Sequence, residues 1–181
     1  MLNGYENSTV SLILKELKIS KGAFYHYFTS KEACADAAVQ RFAKESFEKV
    51  QQKIDIGVSA SINFKNLIFA CSTLFKENES NLKEINVPSN AIFHQKLMVA
   101  LIKEMASLFS KVISQGVKEK VFETEYPLET AEMILTLSNF YFDADLFGWK
   151  SQDIPLKMLA FEGLLTQTLN AKPGFFSFLH Q

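Results

Sequence analysis

Apolar positions recur every three or four residues along most of the chain and sort into helices separated by polar joints. Val10, Ile13, Leu14 and Leu17 form a first short stripe, with Ser8 or Thr9 placed to cap it. The stripe stops at Leu17-Lys18-Ile19. Ser20 offers a second cap and is followed by Lys21-Gly22-Ala23-Phe24-Tyr25-His26-Tyr27-Phe28. Thr29 or Ser30 then caps a third helix, with Glu32 early, where the helix dipole favours an acid. Its stripe is Ala35, Val39, Phe42, Ser46, Val50 and Ile54, and no breaker appears before Gly57. A helix over residues 30–54 is roughly 35 Å long and could carry one module away from another.

Beyond Gly57 the helices become more apolar. Ser59 or Ser61 starts one that carries Ile62, Leu67, Ile68, Cys71, Leu74 and Phe75 and ends in a polar run at residues 77–81. Pro88-Ser89-Asn90 marks the next joint. From Ala91 a long amphipathic helix follows, with Leu97, Leu101, Met105, Leu108 and Val112 on one stripe, and Gly116 is expected to end or weaken it. Lys118-Glu119-Lys120 reads as a solvated face or turn. Pro127 suits a first helical turn, and residues 128–147 read as one helix that is apolar on most of its circumference. Pro155 opens a last helix to about Asn170, ended by Lys172-Pro173-Gly174. The expected fold class is all-α, with a small three-helix piece over residues 1–50 and a larger helical domain over 51–181.

Composition narrows this picture. The chain has 181 residues, 48% hydrophobic, with only 7 Gly and 4 Pro, which argues against the many tight turns of a sandwich or barrel. The long apolar runs, such as residues 67–71, are too short to span a membrane, and the first residues lack the basic and apolar regions of a secretory signal. Cys34 and Cys71 make neither a disulfide framework nor a metal-ligand spacing, so the expected compartment is a reducing cytoplasm. The net charge of −1 does not advertise a nucleic-acid partner, but the N-terminal third carries a small basic excess. Arg41 is the sole arginine among 19 basic residues, so the rigid bidentate guanidinium fork is almost unused. Glycine-rich phosphate loops, nucleophile elbows, paired acid–base carboxylates and metal-ligand sets are missing from the sequence, and the expectation is a non-enzyme without a cofactor.

The run Gly4-Tyr5-Glu6-Asn7-Ser8-Thr9-Val10, then Ile13-Leu14-Lys15-Glu16-Leu17, then Ile19 through Phe28, then Ser30-Lys31-Glu32 resembles the DNA-binding half of a TetR-family transcriptional regulator. The resemblance covers about residues 4–50, and the rest of the chain fits that family only by layout. It implies a helix-turn-helix with Val10 to Leu17 as supporting helix and Lys21 to Tyr27 as recognition helix, reading a double-stranded operator. Residue chemistry agrees. Lys21 can reach a guanine edge or a phosphate, Gly22 lets the backbone approach, and Ala23 can touch a thymine methyl. Tyr25 and His26 carry tips suited to phosphate oxygens. By resemblance Thr9 and Lys31 also bind phosphates. Ser20 joins the candidate DNA-binding set, although Thr9 and Ser20 can equally serve only as helix caps. Phe24 and Phe28 are expected to pack.

Members of that family carry another helix and a short basic arm before the Gly-Tyr, and Met1-Leu2-Asn3 leaves no room for them. A start placed downstream of the true one or a shortened N-terminus is expected, with a natural truncation lacking DNA affinity as the alternative. Apolar residues of the supporting and third helices should then face water. The resemblance further implies a homodimer, with the two last helices and their symmetry mates forming a four-helix bundle. One stripe there holds Leu128, Ala131, Leu135, Phe142 and Leu146, and another Met133, Leu137, Phe140 and Phe147. In the final helix Leu156, Leu159, Gly163 and Gln167 oppose Met158, Phe161, Leu165 and Leu169. A small-molecule effector, apolar or amphipathic, is implied as well. Cys71, His94, Asn139, Tyr141 and Asp143, polar groups on otherwise apolar faces, are its candidate contacts. His94 lacks a partner at metal spacing, so no metal site is expected. The functional expectation is a ligand-responsive repressor, with residues 30–54 as transmitter. A dimeric helical ligand-binding or interaction module that no longer binds DNA is the alternative.

Overall fold

Side-chain caps and prolines decide where the helices begin. The computed structural model describes residues 5–55, 57–78 and 90–180. Thr9 caps α1 (Val10–Leu17), Ser20 caps α2 (Lys21–Tyr27), and Ser30 receives the Ala33 N–H at 3.1 Å at the head of α3 (Lys31–Gln51). α4 (Ala60–Glu77) and α5 (Ala91–Lys118) follow, then α6 (Pro127–Tyr141), the single turn α7 (Ala144–Phe147) and α8 (Ile154–Thr168). Short 3-10 turns lie at Ser151–Asp153 and Ser177–His180. Every regular element among the described residues is a helix, as the all-α reading expects. The expected joint at Pro88 and Ser89, and the end of the polar run at 79–81, lie outside the described residues.

The chain divides into two compact units, Met1–Glu48 with Ser72–Leu101 and Lys49–Cys71 with Ile102–Gln181. Residues 72–101 therefore group with the N-terminal segment rather than with the remainder of 51–181. In the first unit the buried residues are Tyr5, Phe24, Ala35, Val39, Ala43, Ser46, Leu74, Asn90, Leu97, Ala100 and Leu101. The third-helix stripe is thus largely covered. α1 is different: none of its residues is buried, and Leu12, Leu17 and the following Ile19 are exposed. The expectation of apolar residues facing water holds for α1 and fails for α3.

The second unit is built around phenylalanine. Phe64 meets Phe109, Phe122 and Phe176 with ring centroids 5.7, 5.7 and 5.2 Å apart, all edge-on, and all four rings are buried. Above this core the fully buried Asn63 ties down the segment between α3 and α4. Its Oδ1 accepts the Asp55 N–H at 3.0 Å, and its Nδ2 donates to the Asp55 carbonyl at 2.8 Å and to Gln115 Oε1 at 3.1 Å. Gln115 passes a hydrogen bond to Glu119 Oε1, and Glu119 Oε2 accepts the Ala60 N–H at 2.9 Å. Glu119, expected to be merely solvated, satisfies an orphan donor at the head of α4.

Four helix ends differ from the expected ones. α3 stops at Gln51, because Lys53 and Ile54 donate back three residues to Val50 and Gln51 and Asn63 captures Asp55. Gly116 does not end α5. A Cβ there would lie 2.1 Å from the Phe122 ring, so glycine makes room for that ring, while its carbonyl accepts the N–H groups of Val121 and Phe122 and Lys120 turns left-handed. The expected helix over 128–147 breaks after Tyr141. Asp143 accepts the Leu146 N–H at 2.9 Å to start α7, and Gly148, at φ 66°, closes it. α8 ends at Thr168 rather than near Asn170, which takes a φ of 45°.

Candidate nucleic-acid interface

The joint between α1 and α2 is set by two side chains and one strained backbone. Thr9 Oγ1 accepts the Leu12 N–H at 3.3 Å, and Ser20 Oγ accepts that of Ala23 at 3.1 Å. Between them Lys18 takes a left-handed φ of 53°, and its N–H returns to carbonyls of α1, as does that of Ile19 to Leu14 at 3.1 Å. Phe24 alone anchors α2: it is 2% exposed, with its ring 5.5 Å from Phe28 and 5.4 Å from Tyr25. With Phe24 and Phe28 turned inward, helical geometry leaves positions 25, 26 and 27 outward. Lys21, Gly22, Ala23, Tyr25 and His26 are all exposed, and Lys21 Nζ lies 5.9 Å from the Tyr25 ring centre. Both cap hydroxyls accept within the helices and keep their own O–H free to donate.

Tyr27 was not assigned a contact from sequence, yet it is 76% exposed and carries the same phenol as Tyr25. The one signal available was the inward pairing of Phe24 with Phe28, which puts Tyr27 outside.

Lys31, expected to meet a phosphate, also has partners within the protein. It is half-buried, its ammonium donates to the Tyr5 carbonyl at 3.0 Å, and it lies 4.4 Å from the Tyr5 ring centre. Beside it, hydrogen bonds from its own backbone N–H and the Ser30 hydroxyl hold the Glu32 carboxyl below the usual range. The hydrogen bond to Asp36 raises the Lys96 ammonium.

The five candidate effector contacts divide between the two units. His94 belongs to the first unit and is half-buried, while Cys71, Asn139, Tyr141 and Asp143 belong to the second. Burial pushes the Cys71 thiol up to about 11, which leaves it a neutral, weakly polar group at pH 7. Asp143 is occupied as the cap of α7. Tyr141 stands in an aromatic group: its carbonyl accepts Trp149 Nε1–H at 2.8 Å, and Lys157 Nζ lies 5.2 Å from its ring centre and 3.3 Å from that of Trp149. Among the described residues no hydrogen bond or ring contact joins these five side chains to one another. No group of three or more His, Cys, Asp or Glu among them could hold a metal ion. No described helix is long and apolar enough to cross a membrane.

Two family models match the chain. Residues 1–38 match "Bacterial regulatory proteins, tetR family", and residues 73–164, about half the chain, match "Tetracyclin repressor-like, C-terminal domain". The chain belongs to the TetR family. Members are DNA-binding transcriptional regulators rather than enzymes, and the matched N-terminal segment contains α1, α2 and their joint. An uncharacterized HTH-type transcriptional regulator of Bacillus subtilis, YhgD, is 24% identical over 90% of this chain and 84% of its own length. A second from the same organism, YuxN, is 28% identical over 64% of this chain, which spans only 34% of that longer protein. A TetR-family regulatory protein from Rhodococcus RHA1, 18% identical, superposes with a TM-score of 0.55 over 74% of this chain and 71% of its own, and shares the fold.

Proposed function

We propose that this TetR-family regulator is a cytoplasmic homodimeric repressor that leaves a double-stranded operator when a small apolar or amphipathic effector binds. DNA binding is assigned to residues 1–50, and effector binding and dimerisation to 51–181. The observation that carries the DNA reading is α2, capped by Ser20, anchored by Phe24 and exposing Lys21, Gly22, Ala23, Tyr25 and His26 together. Thr9 and Lys31 supply phosphate contacts from the heads of α1 and α3, and Tyr27 joins them. Cys71, His94, Asn139 and Tyr141 remain the effector candidates, whereas Asp143 is committed to its cap.

The dimer reading rests on which stripe each late helix keeps outside. Ala131, Leu135, Phe161, Leu165 and Leu169 are buried within the protomer. Phe140 is 61% and Leu156 73% exposed, with Met133, Leu137, Phe147 and Leu159 also open and Gly163 having nothing within 4 Å of a would-be Cβ. That face is apolar and smooth enough for close helix approach, which supports a seam there and not through Ala131.

The test is binding to a duplex spanning the DNA just upstream of the coding sequence. Lys21→Ala and Tyr25→Phe should each weaken it, while Leu156→Glu should give monomers in sedimentation and lose the cooperative complex. Unchanged affinity in both α2 variants removes the recognition-helix assignment. A folded dimer that binds no duplex favours a ligand-binding module instead.

A further inference from the structure

Lys31 is fixed by a residue that is itself fixed from a distant part of the chain. The Tyr5 carbonyl accepts from Lys31 Nζ at 3.0 Å and from the Ser8 N–H at 3.2 Å, one residue before the Thr9 cap. The Tyr5 ring, buried, offers its face to the same ammonium at 4.4 Å. From the other side α5 holds Tyr5: the side chain of Asn90, just ahead of the helix, accepts the Tyr5 N–H, and Phe93 packs on its ring at a centroid distance of 5.8 Å. Lys96, one turn further along α5, pairs with Asp36 of α3. The head of α3, the segment before α1 and the first turns of α5 thus form one polar and aromatic cluster inside the first unit.

We infer that Tyr5 is a positioning residue for DNA binding: Asn90 and Phe93 hold it in place, and it presents the Lys31 ammonium to a backbone phosphate. The inference rests on the regulator reading and adds to it the residues through which α5 governs a DNA contact. A free lysine loses side-chain entropy when it binds a phosphate, and Tyr5 has already imposed that order. An ammonium has three donors. One goes to the Tyr5 carbonyl, the ring face attracts the charge, and a donor remains for the phosphate. α5 is unbroken from Ala91 to Lys118, and its later residues Leu108, Phe109, Val112 and Ile113 are core residues of the second unit. Any displacement of its first turns moves Tyr5, and with it the ammonium.

The link is read first in the free protein, by nuclear magnetic resonance of the lysine ε-methylenes, with Lys31 assigned through Lys31→Arg. The Tyr5 ring should shift the Lys31 signal upfield, and Phe93→Ala and Asn90→Ala should return it toward the exposed lysines. If Phe93→Ala does not fold, Phe93→Leu carries the same test, because it keeps apolar bulk but no ring. The second reading is binding of the full chain to the upstream duplex across a salt series. Lys31→Ala and Phe93→Ala should each weaken binding about tenfold, as expected for one charge-assisted contact. Each should also lower the salt slope by about one unit, and the double variant should go no further than Lys31→Ala alone. A Lys31 resonance indifferent to Phe93, or additive losses in the double variant, overturns the link to α5. An unsubstituted chain that binds no duplex overturns the regulator reading and the phosphate role with it.

Discussion

Aromatic side chains serve opposite ends in α2 of the first unit and in the ring core of the second. In the second, Phe64, Phe109, Phe122 and Phe176 close on one another and none reaches solvent. In α2, Tyr25, His26 and Tyr27 stand in water, and a single ring, Phe24, holds the helix down. The first arrangement derives its stability from area removed from water, and the second from caps and turn geometry. A helix with one buried anchor keeps most of its surface free for a partner. A core of interlocked rings has no such freedom, and its residues are chosen by shape.

Three substitutions sharpen or break that contrast. The largest effect is expected for Phe176→Ala, which empties the centre of the ring cluster and should cost about 3–5 kcal/mol. Trp149, the only tryptophan, lies in the second unit and reports the loss in denaturant titrations by its fluorescence. Asn63→Ala should cost about 1–3 kcal/mol by the same readout, because the Asp55 amide and the Gln115 carbonyl oxygen lose their buried partner. The smallest is Ser20→Ala, about 1 kcal/mol for a lost N-cap, seen as faster amide hydrogen exchange in α2 with the Trp149 transition unmoved. A Ser20→Ala shift of that transition as large as the Phe176→Ala shift would erase the distinction between the regions.

The same division governs what the sequence made legible. Caps and first-turn residues act locally, so Ser20 and Pro127 could be read directly, Thr9 and Ser30 each as one of two neighbouring caps, and all of the outward set on α2 but Tyr27. Tertiary choices could not. Hydrophobic periodicity runs on through Phe142 to Phe147, and only the Asp143 cap and the left-handed Gly148 reveal the break. A glycine suggests an end or a weak point in the helix, whereas Gly116 makes room for the Phe122 ring. Two apolar stripes on one helix are equivalent in sequence, and burial of Ala131 against exposure of Phe140 distinguishes them. The internal hold on Lys31 was not legible, because its partner, Tyr5, lies far from it along the chain and is set in place by α5.

The proposed DNA-binding role of this regulator depends on α2. Its most direct test is the affinity of the unsubstituted chain for the upstream duplex between low and physiological salt, beside a Lys21→Ala control. The logarithm of affinity should fall linearly with the logarithm of salt, with a slope about one unit smaller in Lys21→Ala. A folded chain with no measurable binding at low salt, or a slope untouched by Lys21→Ala, would contradict it.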